Sequence, residues 1–548
     1  MKRRSGESPA AGQGSAEPRF PRLRAAVGLI FLNGVLNADA VATGPAWLGL
    51  LRPAPELMAI LAGMCLLVRK GMPFRPFGYT LLAGLILFFG LFRTADGLMS
   101  AVFFRPLNLA MDTPRLPDLV FLARTLVSPG RLTLVLAGLA VSAAAAAWGV
   151  GRALAALHAL LAARPLPVGA GRLAAGIILL AALAGPQLSP AVVARPALPR
   201  LMEELRFLLD LDGVRRQDLA AIAAARERAS AHPTDLERLG RTPVLLFVVE
   251  SYGRTVFSHP DHAARILPAI KEAEAELGAA GFLMGSNFLD APTSGGGSWL
   301  THATLASGVR VASQIRHDLL LGSDLTPLAD YFNRAGYRTL RAMPGTLWPW
   351  PSGEFYRYEQ TLIAPDFDYR GPRFAFAPMP DQFVLEWVWR NAIAGETRPF
   401  FVEFILVSSH TGFEVHAPYV EAWDAIGDGS LFTSLPPQVL SGVWFDPAAL
   451  SEAYATAIRY EWAVLKEFIR QRIGANELII ILGDHQPPGP AAGEDRSASV
   501  PIHVITRNAE ASARFLERGY TKGLVPDQPL PHAGLETFFW DFLEDFSG

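Results

Sequence analysis

Glu477-Leu478-Ile479-Ile480-Ile481-Leu482-Gly483-Asp484-His485 is the stretch on which the fold of this chain turns. Its Leu and Ile residues run on without alternation, which predicts a strand covered on both faces in a parallel sheet. Asp484 and His485 then fall at the carboxyl end of that strand, where open α/β sheets hold their ligands. A carboxylate beside an imidazole suits a divalent cation of the zinc or manganese type. The same pair is equally at home in a hydrogen-bonded turn, so the strand end alone does not choose.

Three other segments have the same character. Val244-Leu245-Leu246-Phe247-Val248-Val249-Glu250-Ser251 is a second apolar strand ending in a carboxylate. In Thr293-Ser294-Gly295-Gly296-Gly297-Ser298-Trp299-Leu300-Thr301-His302, glycines lead into a short apolar helix that ends near Gly308. Ser298 at that helix start would meet backbone N–H groups and the positive end of the helix dipole, which favour a phosphate or a developing alkoxide; a glycine triplet is also read as a flexible turn. Val407-Ser408-Ser409-His410 is again a strand running into a polar turn. His410 is placed to bind a phosphate oxygen or to protonate a leaving group, whereas His416 reads as an ordinary loop histidine.

Around these segments, strands at 244–249, 282–288, 338–343, 400–407, 478–482 and 502–506 alternate with helices at 263–277, 325–335, 382–391 and 450–472. Such alternation predicts an α/β domain with a mostly parallel sheet covered by helices. The preceding part of the 548-residue chain is different: Leu, Ala, Gly and Phe dominate up to about Arg195. Five membrane-spanning segments are expected there, at 25–51, 55–68, 77–101, 132–151 and 173–188, the second being short for a bilayer. Lys2, Arg3 and Arg4 before the first, Arg69, Lys70 and Arg75 after the second, and Arg164 and Arg172 before the fifth are cytoplasmic by the positive-inside rule. An odd number of spans delivers the remainder of the chain to the outer side. The external loop 103–131, with Arg105, Arg115, Arg124 and Arg131, departs from that rule.

The expected organisation is thus a cytoplasmic tail at 1–24, a helical transmembrane bundle at 25–190, a juxtamembrane linker with two amphipathic stretches at 191–241, and an extracytoplasmic catalytic domain at 242–548. The long polar lead up to Arg24 reads as part of a retained anchor rather than a cleaved signal. Cys65 is the only cysteine and lies in the second span, so disulfides do not brace the external domain. A net charge of −2, with no basic stretch interleaved with aromatics, gives no reason to expect nucleic acid as a partner.

The order Glu250-Ser251 after the first strand, Gly-rich turn with Ser298, strand-end His410, then Gly483-Asp484-His485 resembles the alkaline phosphatase/sulfatase superfamily over about 242–542. Thr304-Leu305-Ala306-Ser307-Gly308 is similar to the ending of the sulfatase signature. Five spans followed by an external domain resemble, more narrowly, the membrane-bound phosphoglycerol transferases of the lipoteichoic acid synthase type. This resemblance implies that Glu250, Ser298, Asp484 and His485 hold one divalent metal, usually Mn2+ in that family with Zn2+ or Mg2+ as alternatives. It also implies that Ser298 is the nucleophile and that His410 contacts substrate. Trp350, in Trp350-Pro351-Ser352-Gly353-Glu354-Phe355-Tyr356, matches a substrate-binding Trp, but Ser352 stands where the family has an Arg. Arg357 or Arg341 is then the candidate for the missing charge.

Ser298 is followed by Trp-Leu-Thr-His, without the Pro and Arg that a sulfatase signature needs to mature its nucleophile. A second group of Asp and His ligands for a two-metal phosphatase is not found between Gly308 and Asp484. The expectation is a metal-dependent serine phosphotransferase in the cell membrane. It would move a phosphoglycerol- or phosphoethanolamine-type group from a phospholipid donor in the bilayer to an envelope glycan or lipid acceptor. The alternatives are a phosphodiester or ester hydrolase and a non-enzymatic lipid-sensing regulator.

Overall fold

The computed structural model describes residues 21–42, 47–69, 76–117, 128–163, 193–231, 234–440 and 446–548, with the positions 120, 124, 173, 176, 178–180 and 443. They fall into two compact units, one from the described residues of Met1–Leu98 and Val127–Arg206, the other from those of Met99–Leu126 and Phe207–Gly548.

Among the described residues, Gly49–Val68, Pro76–Phe103 and Pro129–Ala163 are long and apolar enough to cross a membrane. They contain the expected second, third and fourth spans. The first expected span falls on the helix Pro21–Leu36 and the short helical turns Asp39–Ala42 and Trp47–Leu51. Two asparagines tie this helix to the segment 50–54. The Asn33 amide donates to the carbonyls of Leu50 at 2.7 Å and Arg52 at 2.9 Å. Asn37 donates to Arg52 at 2.7 Å, and the Ala54 N–H donates to Asn33 Oδ1 at 2.9 Å. The expected fifth span lies outside the described residues apart from five scattered positions.

The second unit is built on an eight-stranded sheet. In chain order the strands are β1 (Val244–Val249), β2 (Leu283–Asp290), β3 (Arg338–Met343), β4 (Gln360–Ile363) and β5 (Phe400–Leu406), then, after the small pair β6 (Val415–His416) and β7 (Gln438–Val439), β8 (Leu478–Gly483), β9 (Ser499–Thr506) and β10 (Thr521–Lys522). Their spatial order is β10-β2-β9-β8-β1-β5-β3-β4. The block β8-β1-β5-β3-β4 is parallel throughout, and β9, β2 and β10 extend it antiparallel on the β8 side.

The unbroken apolar runs are explained by two cores, one on each face of the sheet. Leu245, Phe247 and Val249 of β1 and Ile479 and Ile481 of β8 face one core, with side chains of helices Pro260–Ala279 and Pro447–Arg472. Val244, Leu246 and Val248, with Leu478, Ile480 and Leu482, face the other, against Ser298–Ser307 and Glu536–Phe546. Each fully buried Leu or Ile contributes roughly 1.5–3 kcal/mol from burial. This fixes the central strands and hence the point at which each one ends.

Candidate active site

β1 and β8 are parallel neighbours with Val249 opposite Gly483, so Glu250 and Asp484 leave the sheet side by side. Only glycine fits at 483, where a Cβ would lie 1.8 Å from the Tyr252 carbonyl oxygen. Ser251 sits in the left-handed region at φ 58°. In that conformation its N–H donates to Asp484 Oδ1 at 2.7 Å and its hydroxyl to Glu250 Oε1 at 3.1 Å. The His485 N–H donates to the same Asp484 oxygen at 2.7 Å. The His485 ring is oriented by the Gln486 carbonyl, 2.8 Å from Nδ1. With the proton assigned there, Nε2 carries the lone pair. That Nε2 is 3.3 Å from Glu250 Oε1 and 3.5 Å from Asp484 Oδ2.

The glycine-rich turn brings in the fourth group. Gly297 at φ 85° precedes the helix Ser298–Ser307, a conformation that glycine adopts without a Cβ penalty. Ser298 Oγ then lies 2.9 Å from Glu250 Oε2 and 3.2 Å from His485 Nε2. Two hydroxyls brace the arrangement from behind: Thr301 donates to the Asp484 carbonyl at 2.8 Å, and Ser409 to the Glu250 carbonyl at 2.6 Å. Neither brace is singled out by sequence reasoning, because a Ser or Thr in such a turn carries no pattern of its own.

Glu250, Asp484 and His485 are all buried, with one ligand atom from each within 4.8 Å of the others, a group that could hold a metal ion. Their electrostatics are opposed. Burial, and then the Glu250 charge, pushes Asp484 well above the usual carboxylate range. Burial would raise Glu250 too, yet the His410 and His485 charges hold it below that range. Burial would lower His485, but Asp484 and Glu250 raise it to about 9. Without a metal these groups hold protons between them, and a divalent cation bound there would displace those protons and pair with both carboxylates and the freed His485 nitrogen. The mixed oxygen and nitrogen donors fit zinc or manganese better than calcium.

The His410 ring lies flat on Phe376, centroids 3.6 Å apart, with its Nδ1 3.0 Å from the Thr411 carbonyl. Phe376 also lines a cavity of about 740 Å³ walled by Trp299, His302, Trp348, Trp350 and Arg341. Trp350 thus lies in the cavity wall. Arg357 is not among the lining residues; it is half-exposed and paired with Asp330 at 3.3 Å. Arg341 is the lining cation, 1% exposed, with its Nε 2.6 Å from Glu403 and its guanidinium 4.2 Å above the Tyr356 ring. His302, one turn beyond Ser298, is lowered to about 3 by burial and by the Arg341 charge, so it is neutral. Its spacing of four from Ser298 is the available sequence signal, since i and i+4 share a helix face. His416 is buried in the small β6–β7 pair.

Neither a scan of protein-family models nor a search of curated proteins matches the sequence. Among solved structures, the chain is similar to the lipoteichoic acid synthase LtaP from Listeria monocytogenes, at 12% identity and a TM-score of 0.35, over 55% of this chain and 76% of that one. It is similar to the C-terminal periplasmic domain of EcEptC from Escherichia coli, solved in complex with Zn, at 13% identity and a TM-score of 0.34, over 50% and 75% of the two chains. The Streptococcus pyogenes phosphoglycerol transferase GacH, solved with sn-glycerol-1-phosphate, gives 12% identity and a TM-score of 0.33 over 60% and 92%. These are distant likenesses, of fold alone.

Proposed function

We propose that this protein is a membrane-anchored, metal-dependent phosphotransferase that uses Ser298 as its nucleophile and a phospholipid as its donor. The observation that carries the reading is the position of Ser298 Oγ, 2.9 Å from Glu250 and 3.2 Å from His485, beside a buried Asp484 at the ends of neighbouring strands. A divalent cation held by Glu250, Asp484 and His485 with Ser298 Oγ supplies Lewis acidity and lowers the pKa of the hydroxyl. The described helices long and apolar enough to enter a bilayer support a lipid donor. Tethering to the membrane surface raises the effective concentration of such a substrate.

In the first step Ser298 Oγ forms a bond to the phosphorus of the donor diester. The bond from phosphorus to the lipid alcohol breaks, and that alcohol leaves with a proton from His410. Glu250 Oε2 is the acceptor aligned with the Ser298 hydroxyl proton. In the second step an acceptor hydroxyl oxygen bonds to phosphorus and gives its proton to His410, the Ser298 Oγ–P bond breaks, and Glu250 returns its proton to Ser298 Oγ. The phosphoglycerol or phosphoethanolamine identity of the group, and the preference for Mn2+, rest on the resemblance in motifs. Attack of water on the phosphorus in place of the acceptor hydroxyl, with the Ser298 Oγ–P bond breaking as before, would make the protein a hydrolase.

The test uses the full chain in detergent or nanodiscs, with bound metal measured and labelled phosphatidylglycerol and phosphatidylethanolamine followed with and without acceptor. Acceptor-dependent product that drops on the order of 10³-fold in Ser298→Ala supports the transferase. Release only to water supports the hydrolase, and absence of both metal and turnover sinks the enzyme reading in favour of a lipid-sensing role.

A further inference from the structure

The two amphipathic stretches that follow the membrane segments differ in what covers their apolar residues. In the second, the helix Leu211–Ala231, Ile222 and Ala225 are buried in the core that Val244 and Leu246 face, and Asp218 pairs with Arg316 at 2.6 Å. In the first, the helix Ala197–Leu209, the apolar side chains are uncovered. Leu198, Met202 and Leu205 are 53%, 42% and 42% exposed, and Leu209 at its last position is 88% exposed. At 3.6 residues per turn these four side chains fall within a sector of about 60°. Single exposed leucines are ordinary on a protein surface, whereas a stripe of four marks a surface with a partner.

The other side of this helix is bound to the membrane segments. Its first N–H, that of Ala197, donates to the Glu56 carboxylate. One turn on, the Arg200 guanidinium pairs with Asp96 at 3.2 Å and with the buried Glu204 at 2.7 Å. Glu56 opens the helix Pro55–Arg69. In the helix Pro76–Phe103, Asp96 lies about 30 Å from Pro76 at the usual rise, one hydrocarbon thickness. Arg93 joins these two places, 3.8 Å from Glu56 and 3.4 Å from Asp39. Both are at the ends remote in sequence from the basic residues Arg69, Lys70 and Arg75. The helix is thus clamped where the membrane segments leave the hydrocarbon. Glu203 and Arg206 are exposed in the sector between the apolar stripe and the clamped side. One side on protein, one apolar and one charged is the pattern of a helix lying in a membrane interface.

We propose that Leu198, Met202, Leu205 and Leu209 are inserted into the bilayer surface, so that the helix Ala197–Leu209 lies in the interface on the side where Glu56 and Asp96 emerge. A lipid surface is the occupant because Glu56, Asp96 and Arg200 hold the helix to segments that enter the same bilayer. The stripe then sits at the depth of the acyl boundary, and Glu203 and Arg206 stay in water. This inference concerns how the chain leaves the membrane and does not depend on the chemistry of Ser298.

The test uses the full chain as Cys65→Ala, reconstituted in vesicles of phosphatidylethanolamine and phosphatidylglycerol. Nitroxide labels are attached one at a time at Met202→Cys, Leu205→Cys, Glu203→Cys and Arg206→Cys, all exposed positions at which a label leaves the fold intact. Power saturation in EPR compares collision with oxygen, which concentrates in hydrocarbon, against collision with a water-soluble nickel chelate. The oxygen-to-nickel ratio at 202 and 205 is expected on the order of tenfold above that at 203 and 206. Equal ratios at the four positions overturn the inference. A label at Leu136→Cys, on an exposed residue of Pro129–Ala163, gives the value for a lipid-facing site. An aqueous ratio there as well as at 202 overturns both the surface helix and the membrane reading. Dipolar broadening at Met202→Cys that disappears on dilution with unlabelled protein overturns the inference in favour of a second copy of the chain on the stripe. Absence of phosphotransfer sinks the proposed chemistry and leaves this inference standing, since accessibility is read without turnover.

Discussion

The sheet-bearing unit buries two pairs of carboxyl groups, and they differ in what surrounds them. Glu250 and Asp484 stand at the ends of β1 and β8 with an imidazole and a hydroxyl turned toward them. Asp381 and Glu461 lie beneath the end of β5. There Asp381 Oδ2 accepts the N–H groups of Val407 at 2.8 Å and Ser408 at 2.6 Å, and the Asp381 N–H donates to Ser408 Oγ at 3.0 Å. The Ser409 hydroxyl and N–H favour the charged form of Glu461, but burial and Asp381 outweigh them, and the proton of Glu461 joins the two acids. Burial, then the Asp381 charge, raises Glu461 well above the ordinary carboxyl range. The same desolvation thus has two outcomes. Where an imidazole and a hydroxyl complete the surroundings, the pair could hold a cation; where backbone N–H groups and a neighbouring serine do, it is a neutralised brace behind the strand leading to His410.

The largest effect expected from this contrast is at the open pair. Asp484→Asn removes a carboxyl group from the proposed metal site and should lower the proposed phosphotransfer on the order of 10³-fold, about 4 kcal/mol of barrier. Bound metal, read by elemental analysis, should fall with it. Retained metal at full stoichiometry would dissolve the distinction between the pairs. At the closed pair, Asp381→Ala leaves the Val407 and Ser408 N–H groups buried and unpaired, at a cost of about 2–4 kcal/mol. This should appear as a lower urea midpoint of the full chain, with metal binding by the folded fraction unchanged.

A cation titration sharpens the comparison. Mn2+ or Zn2+ at a hundred times its dissociation constant stabilises the protein by about 2.7 kcal/mol. The resulting rise in melting temperature should persist in Glu461→Gln and vanish in Asp484→Asn. An equal rise in all three proteins would mean that the ion binds elsewhere.

The smallest effect is one of pH. With Glu461 held well above its ordinary 4.5, the folded chain keeps a proton that the unfolded chain releases above that value. Its contribution to stability is complete below pH 4.5 and is lost as pH rises toward the folded value. Glu461→Gln donates to Asp381 at every pH, so between pH 5 and 8 its melting temperature should decline less than that of the unsubstituted protein, by the equivalent of about 1 kcal/mol. Parallel declines would show that Glu461 ionises normally.

What is legible in the chain depends on the range over which each signal acts. The apolar runs of β1 and β8 can be read directly, because a strand buried on both faces needs every side chain apolar. The turn glycines and the acids at the strand ends are likewise written in adjacent residues. The partners of polar residues in the first apolar segment are not visible in this way: Asn33 and Asn37 look like isolated polar residues in a span, and their partners are backbone carbonyls at 50 and 52. Nothing local joins Asp381 to Glu461, which lie eighty positions apart in sequence. Arg341 and Arg357 are indistinguishable as candidates in sequence, and burial separates them.

Hydrophobic periodicity and turn chemistry are properties of neighbouring residues, so the linear chain already specifies its central strands and the side chains in which they end. The placement of β8 against β1 with Val249 opposite Gly483, which lets residues 250, 298 and 484 meet, is a product of the folded unit. That convergence depends on strand order and register. These are set by two cores packing on opposite faces of the sheet, with contributions from the whole unit rather than from any one segment.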